Sequence, residues 1–166
     1  VGYRGSQTGA LVEDSCFKKN IQGATANGIN VGVYFFTQAT TEAEAVEEAS
    51  MALPLCSGYN LSYPIFVDTE NGSGAARANG LDKGTRTACV AAFCKTIANG
   101  GRKAGVYASK SWYNNKIDAS AFSNYFIWVA QYNTTCNYKG KYNMWQYSTK
   151  GSVPGIKGNV DVNIAY

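Results

Sequence analysis

Histidine is absent from this 166-residue chain. Without imidazole there is no Ser-His-Asp or Cys-His catalysis and no histidine-built zinc site, so acid–base chemistry falls to carboxylates, Lys or Tyr. Charge is sparse too. Asp, Glu, Lys and Arg make up 16% of the residues, and 15 cations against 11 anions leave a formal charge of +4. The cations form no dense run with interleaved aromatics, which argues against a nucleic-acid partner. A mild positive charge suits an anionic polymer surface. No apolar run approaches the roughly 20 residues of a membrane span, and no signal peptide is visible. The chain begins at Val1 rather than Met, so processing or truncation upstream is expected. The five cysteines (Cys16, Cys56, Cys89, Cys94, Cys136) show no CxxC spacing. Cys89 and Cys94 fall on poorly matched faces of an expected helix, and an odd count leaves at least one thiol unpaired. Mostly buried free thiols are expected rather than a disulfide framework.

Against these absences, the stretch Tyr63–Gly72, YPIFVDTENG, stands out. It is an apolar run that ends in two carboxylates, Asp68 and Glu70. On a strand, residues i and i+2 share a face, so Phe66, Asp68 and Glu70 line one side while Ile65, Val67 and Thr69 line the other. Two like charges so close raise one pKa, leaving one acid protonated and its neighbour ionised, the pairing that acid-assisted hydrolysis needs. The bland alternative is a strand end with two solvated carboxylates.

The remaining chain places that strand in order. Val1–Gly5 reads as the tail of a strand, and Asp14 as the cap of a helix carrying Phe17, Ile21 and Ala24 on one face to about Asn27-Gly28. Ile29–Thr37 reads as a strand with Tyr34 and Phe36 on one face. Thr41 and Glu44 form a capping box opening a helix with Val46, Ala49 and Leu53 inward and Pro54 near its end. After the acidic strand comes a Gly- and Asn-rich loop, NGSGAARANG, then a helix from about Lys83 to Asn99 burying Val90, Phe93 and Ile97 and stopping at Gly100-Gly101. Ala104–Ser109 is the next strand, followed by short helices at Ser109–Lys116 and Ala119–Asn124. Tyr125–Tyr132, Tyr142–Thr149 and Val160–Tyr166 then read as strands without intervening helices.

Alternating strands and helices imply a parallel sheet with right-handed crossovers. The stub at Val1 and six further strands come one short of an eight-stranded β/α barrel, a fold that places its chemistry at strand C-termini. Asp68 and Glu70 lie at such an end. Tyr34, Tyr107, Trp128, Gln146 and Asp161, the last with Asn163, share one face near other strand ends. Each has an ordinary reading as barrel filler or turn anchor. Together, acids and rings around one rim fit a polysaccharide cleft.

Taken as blocks, GYRG with TGALVED, GVYFFTQATTEAEAVEEA, YPIFVDTE, AGVYAS, IWVAQY and MWQYSTKGSVPGIKGNVDVN resemble the family 25 glycoside hydrolases, the lysozymes (N-acetylmuramidases) of bacteria and their phages. The blocks span nearly the whole chain in the family's order. The resemblance implies an α/β fold, a modified β/α barrel of five strand–helix units followed by three plain strands, formed as a single catalytic domain over residues 1–166. It implies hydrolysis of the β-1,4 bond between N-acetylmuramic acid and N-acetylglucosamine in bacterial cell-wall peptidoglycan. It assigns Glu70 as general acid and matches Asp68 and Asp161 to the family's other acidic positions. Tyr34, Tyr107, Trp128 and Gln146 would shape the sugar subsites. A monomer acting at the wall, as autolysin or endolysin, with neither metal nor cofactor, completes the expectation. Family members begin with a further strand bearing an Asp in a D-x-S context and a helix, so on the order of 30 residues upstream of Val1 are expected to be missing. The competing readings are a non-catalytic glycan-binding barrel and a hydrolase of another acetamido-sugar polymer such as chitin. A zinc-dependent wall amidase is disfavoured because there is no His to hold the metal.

Overall fold

Short β-branched and aromatic runs set the strands, and a computed structural model describes them for all of residues 1–166. In chain order the elements are β1 (Gly2–Arg4), β2 (Leu11–Glu13), α1 (Phe17–Ala26), β3 (Val33–Phe36), α2 (Glu42–Cys56), β4 (Ile65–Asp68), α3 (Lys83–Asn99) and β5 (Ala104–Ser109). Then follow α4 (Lys110–Asn115), a 3-10 turn (Ala119–Phe122), β6 (Phe126–Ala130), β7 (Met144–Gly151) and β8 (Val160–Ala165). All eight strands join one sheet in the order β2-β1-β3-β4-β5-β6-β7-β8. The pairs from β1–β3 through β6–β7 are parallel, and the outermost pairs, β1–β2 and β7–β8, are antiparallel. The fold is α/β, as the alternation of elements implies.

The sheet therefore has one strand more than the seven counted in the sequence. That strand is β2, whose three residues pair with β1 in the register Gly2↔Glu13 to Arg4↔Leu11. A segment so short, with one end acidic, carries no periodic signal. It is a strand because β1 supplies the hydrogen-bonding edge.

Along the parallel strands, side chains alternate between two environments. Ile65, Val67, Val106, Ala108, Ile127 and Val129 join Phe35 in a continuous apolar core with α2 and α3. Their neighbours Phe66, Asp68, Tyr107, Trp128 and Gln146 lie on the opposite face. Small residues on α2 (Ala45, Ala49, Ala52), all buried, allow close packing with α3, which contributes Val90, Phe93 and Ile97.

Local capping follows the sequence with two shifts. Thr41 Oγ1 accepts from Glu44 N at 3.2 Å, but Glu44 reaches back to Thr40 rather than Thr41, accepting from its N at 2.7 Å and its Oγ1 at 2.9 Å. Asp14 does not cap α1. It folds a tight turn before the helix, its carboxylate accepting from Cys16 N at 2.9 Å, and Cys16 takes the cap position without a side-chain bond. The inward face of α2 also departs from expectation. Ala45, Glu48, Ala49, Ala52 and Cys56 are buried, whereas Val46 is exposed and Leu53 half-buried. The cause is Arg4 on β1, whose Nε donates to Glu48 Oε1 at 2.9 Å and draws that carboxylate to full burial. All five cysteines are free, with Cys56, Cys89 and Cys94 buried.

Candidate active site

The second face of the sheet ends in a cleft of about 130 Å³ lined by Tyr34, Asp68, Glu70, Tyr107, Trp128, Gln146 and Asp161. These are the seven residues singled out in the sequence. They come from β3, β4 and the turn after it, β5, β6, β7 and β8. Strands β3 and β8 are not hydrogen-bonded neighbours, yet Tyr34 and Asp161 line the same cavity, so the sheet curls until its third and last strands face one another.

Asp68 is the last residue of β4, and its backbone is held on both sides. Thr37 N donates to its carbonyl at 3.0 Å, and the next residue, Thr69, donates its N–H to Tyr107 O at 3.1 Å. The side chain is buried at 6% exposure, and its Oδ1 has no hydrogen-bond partner in the protein. Burial, and then the charge of Glu70, push its pKa well above the usual carboxylate range. Glu70 lies at the exposed mouth. Its pKa is also raised, first by partial desolvation and then by the charge of Asp161. The two acids thus hold protons more readily than ordinary carboxylates, Asp68 the more strongly. No three Asp, Glu or Cys side chains converge closely enough to hold a metal ion.

A ring wall closes the other side. The Tyr107 and Trp128 rings meet edge-on at 4.7 Å, and Phe66 abuts Trp128 at 5.2 Å. Trp128 Nε1 donates to Asn163 Oδ1 at 2.9 Å, tying β6 to β8. The hydroxyls of Tyr107 (2.7 Å) and Tyr132 (3.0 Å) both donate to Gln146 Oε1. With that oxygen occupied, Gln146 Nε2 is left as a donor without a protein acceptor. Behind this wall, β5 has a glycine for a steric reason: a Cβ at Gly105 would lie 2.4 Å from Phe66 Cδ1 and 3.1 Å from Phe126 Cβ. Tyr34, 52% exposed, stands at the rim. Desolvation, and then the charge of Asp68, raise its pKa.

The sequence reading missed Tyr132 and the partnership of Asn163 with Trp128. A signal for Tyr132 existed: Trp128, Ala130 and Tyr132 form a period-two series on one face. The Gly- and Asn-rich loop expected at 71–80 is a loop, and its side chains fasten it. Gly72 N donates to Asn79 Oδ1 at 2.9 Å, and Asn79 Nδ2 returns bonds to Gly72 O (3.1 Å) and Gly74 O (3.0 Å). Arg77 pairs with Glu44 at 2.7 Å, Ala78 N donates to Gln38 Oε1 at 3.3 Å, and Arg86 donates to Ala78 O at 2.6 Å. The backbone that follows Glu70 is therefore tied to α2, α3 and the end of β3.

An acid-lined cleft at the C-terminal ends of a curled, mostly parallel sheet defines the class. The description of glycosyl hydrolases family 25 matches residues 6–156, and the chain belongs to that family. It is 27% identical to an autolytic lysozyme of Clostridium acetobutylicum over 164 residues, 98% of this chain and 48% of that protein. It is 28% identical to the uncharacterised protein YegX of Escherichia coli over 159 residues, 94% of this chain and 55% of that protein. Among solved structures, the modular autolysin LytC of Streptococcus pneumoniae, in complex with a synthetic peptidoglycan ligand, superposes with a TM-score of 0.83 at 27% identity, covering 99% of this chain and 39% of that one. The CTP1L endolysin superposes with a TM-score of 0.78 at 27% identity, covering 99% of this chain and 56% of that one. The chain spans about half the length of the curated relatives it matches.

Proposed function

We propose that this chain is the catalytic domain of a lysozyme that cleaves the β-1,4 bond between N-acetylmuramic acid and N-acetylglucosamine in cell-wall peptidoglycan, acting as a monomer at the wall. Family membership and the likeness to an autolytic lysozyme support the substrate class. The observation that carries the reading is the convergence of Asp68, Glu70 and Asp161 in one cleft walled by Tyr107 and Trp128, where burial and mutual charge raise the pKa of both Asp68 and Glu70. Such a pair holds a proton more readily than ordinary carboxylates do.

Glu70, at the mouth, donates its proton to the glycosidic oxygen as the C1–O bond breaks. The 2-acetamido oxygen of the same sugar attacks C1, giving a cyclic oxazolinium ion. Asp68, ionised at this stage, accepts a hydrogen bond from the acetamido N–H and stabilises the positive charge. Water then adds at C1, giving its proton to the Glu70 carboxylate, and the anomeric configuration is retained. The unpartnered Asp68 Oδ1 fits this role. Burial favours protonated Asp68. An incoming N–H supplies the missing partner, stabilises the anion and leaves the shared proton with Glu70. The charge of Asp161 raises the pKa of Glu70 and so helps retain that proton. Tyr34, Tyr107 and Trp128 form sugar-stacking walls, and Gln146 Nε2 donates to a sugar oxygen.

Clearing of a cell-wall suspension tests the reading. Wild-type chain should lower turbidity, and Glu70→Gln should lose about 10²–10⁴-fold in rate. NMR of the first product should show the β anomer; an α first product would reject the acetamido route. Wall binding without clearing by the wild type would favour the glycan-binding alternative.

A further inference from the structure

The parallel strands that end in the cleft begin, at their other ends, in a second and larger cavity of about 690 Å³. It is lined by residues at the starts of β5, β6 and β7, including Ala104, Phe126 and Asn143, so it opens on the opposite end of the sheet from Glu70. Nothing in the chemistry described above uses it. Three cations line it, Arg102, Lys103 and Lys141, and no carboxylate does. Arg102 is fixed: its guanidinium donates to Tyr59 O (3.2 Å), Cys56 O (3.0 Å) and Ser57 O (3.2 Å) at the end of α2. Lys103 and Lys141 are exposed and take part in no ion pair.

We propose that this cavity is a second binding site, for a saccharide bearing a carboxylate or phosphate group. The cations account for the acid. The Tyr125 and Tyr138 rings, with Ser120 and Asn124, offer the flat apolar faces and short polar groups that sugars require. A bare anion would need only the cations, and a neutral sugar only the rest. Placement at the far end of the strands lets one chain hold an acidic wall polymer while its cleft engages another segment. The site stands independently of the reading of the cleft.

Residue-resolved amide NMR of the chain tests this with four probes: N-acetylmuramic acid, N-acetylglucosamine 6-phosphate, neutral N-acetylglucosamine and inorganic phosphate. The acidic sugars should produce saturable shifts at Ser123–Phe126 and Lys141–Asn143, stronger than either the neutral sugar or phosphate alone. The stronger of the two acids identifies the acidic group, carboxylate or phosphate monoester. The double variant Lys103→Glu/Lys141→Glu should weaken the response about tenfold. Lys19→Glu/Lys95→Glu, on the exposed surfaces of α1 and α3, makes the same change in net charge and should leave it intact. The proposal falls if no shifts occur by about 10 mM ligand, if inorganic phosphate matches the acidic sugars, or if the control variant loses as much. Signals of Asp68, Tyr107 and Trp128 report the cleft in the same spectra, so failure at one site is separable from failure at the other.

Discussion

Asp68 is held in a state that costs stability. Its folded pKa lies above the unfolded value, so folded protein binds the extra proton and stability falls as pH rises through the folded pKa. The contribution is complete only below the unfolded value. Asp68→Asn should therefore stabilise the chain at pH 7, by about 1–3 kcal/mol, the usual penalty for a desolvated polar group. Thermal melts at pH 7 and pH 3.5 should show the gain shrinking at the lower pH, while wall clearing is lost at both. Equal gains at the two pH values would remove the carboxylate as the cause. Gln146 presents a different case, because two hydroxyls hold one oxygen. Either Tyr107→Phe or Tyr132→Phe leaves one donor in place and should raise KM only a few-fold. The double variant frees the amide to rotate and should lose more than the sum of the singles, by about 0.5–3 kcal/mol in a double-mutant cycle. Additivity would mean that the hydroxyls act independently.

Whole elements were legible in the sequence where the signal was local. The bounds Lys83–Asn99 and Ala104–Ser109 match α3 and β5, because the apolar face of Val90, Phe93 and Ile97 and the Gly100-Gly101 stop mark the helix end and the strand start locally. Elements failed where a distant partner decides. The expected inward face through Val46, Ala49 and Leu53 is turned instead toward Ala45, Glu48, Ala49 and Ala52, where Glu48 meets Arg4, more than forty residues away in sequence. The same long-range logic hid β2, which is a strand only because β1 lies beside it. Six of the seven residues that line the cleft lie on strands, where a two-residue period sorts side chains by face without help from elsewhere, and Glu70 follows in the turn after β4. Tyr132 closes the expected strand Tyr125–Tyr132 on the same face as Trp128, but its hydroxyl meets Gln146 only because β6 and β7 pair, a contact no local pattern shows.

The ion pair that ties α2 to the loop after β4 makes a measurable claim of its own. Burial works to raise the pKa of Glu44, yet the Arg77 hydrogen bond, followed by those from Thr40, brings it down to about 2. A depressed pKa contributes stability above the unfolded value and loses it as pH falls toward the folded one. Glu44→Gln should cost about 0.5–1.5 kcal/mol at pH 7 and nearly nothing at pH 2, read by urea unfolding at each pH. An undiminished cost at pH 2 would assign the effect to packing of α2.

At the scale of the whole molecule, the parallel strands carry two independent jobs on alternate residues. Val67, Val106 and Val129 face the helices, while Tyr107 and Trp128 line the cleft and Phe66 packs on that same side of the sheet. The interdigitation gives the protein a particular capacity for change. In a library scored for both solubility and wall clearing, tolerance should rise and fall with a period of two along β4, β5 and β6. Val67→Ala and Val129→Ala should cost about 1–3 kcal/mol in stability with kcat per folded molecule unchanged. Trp128→Phe should do the reverse. Substitution on the cleft-facing positions can thus reshape the cleft without drawing on the stability held by the helix-facing ones.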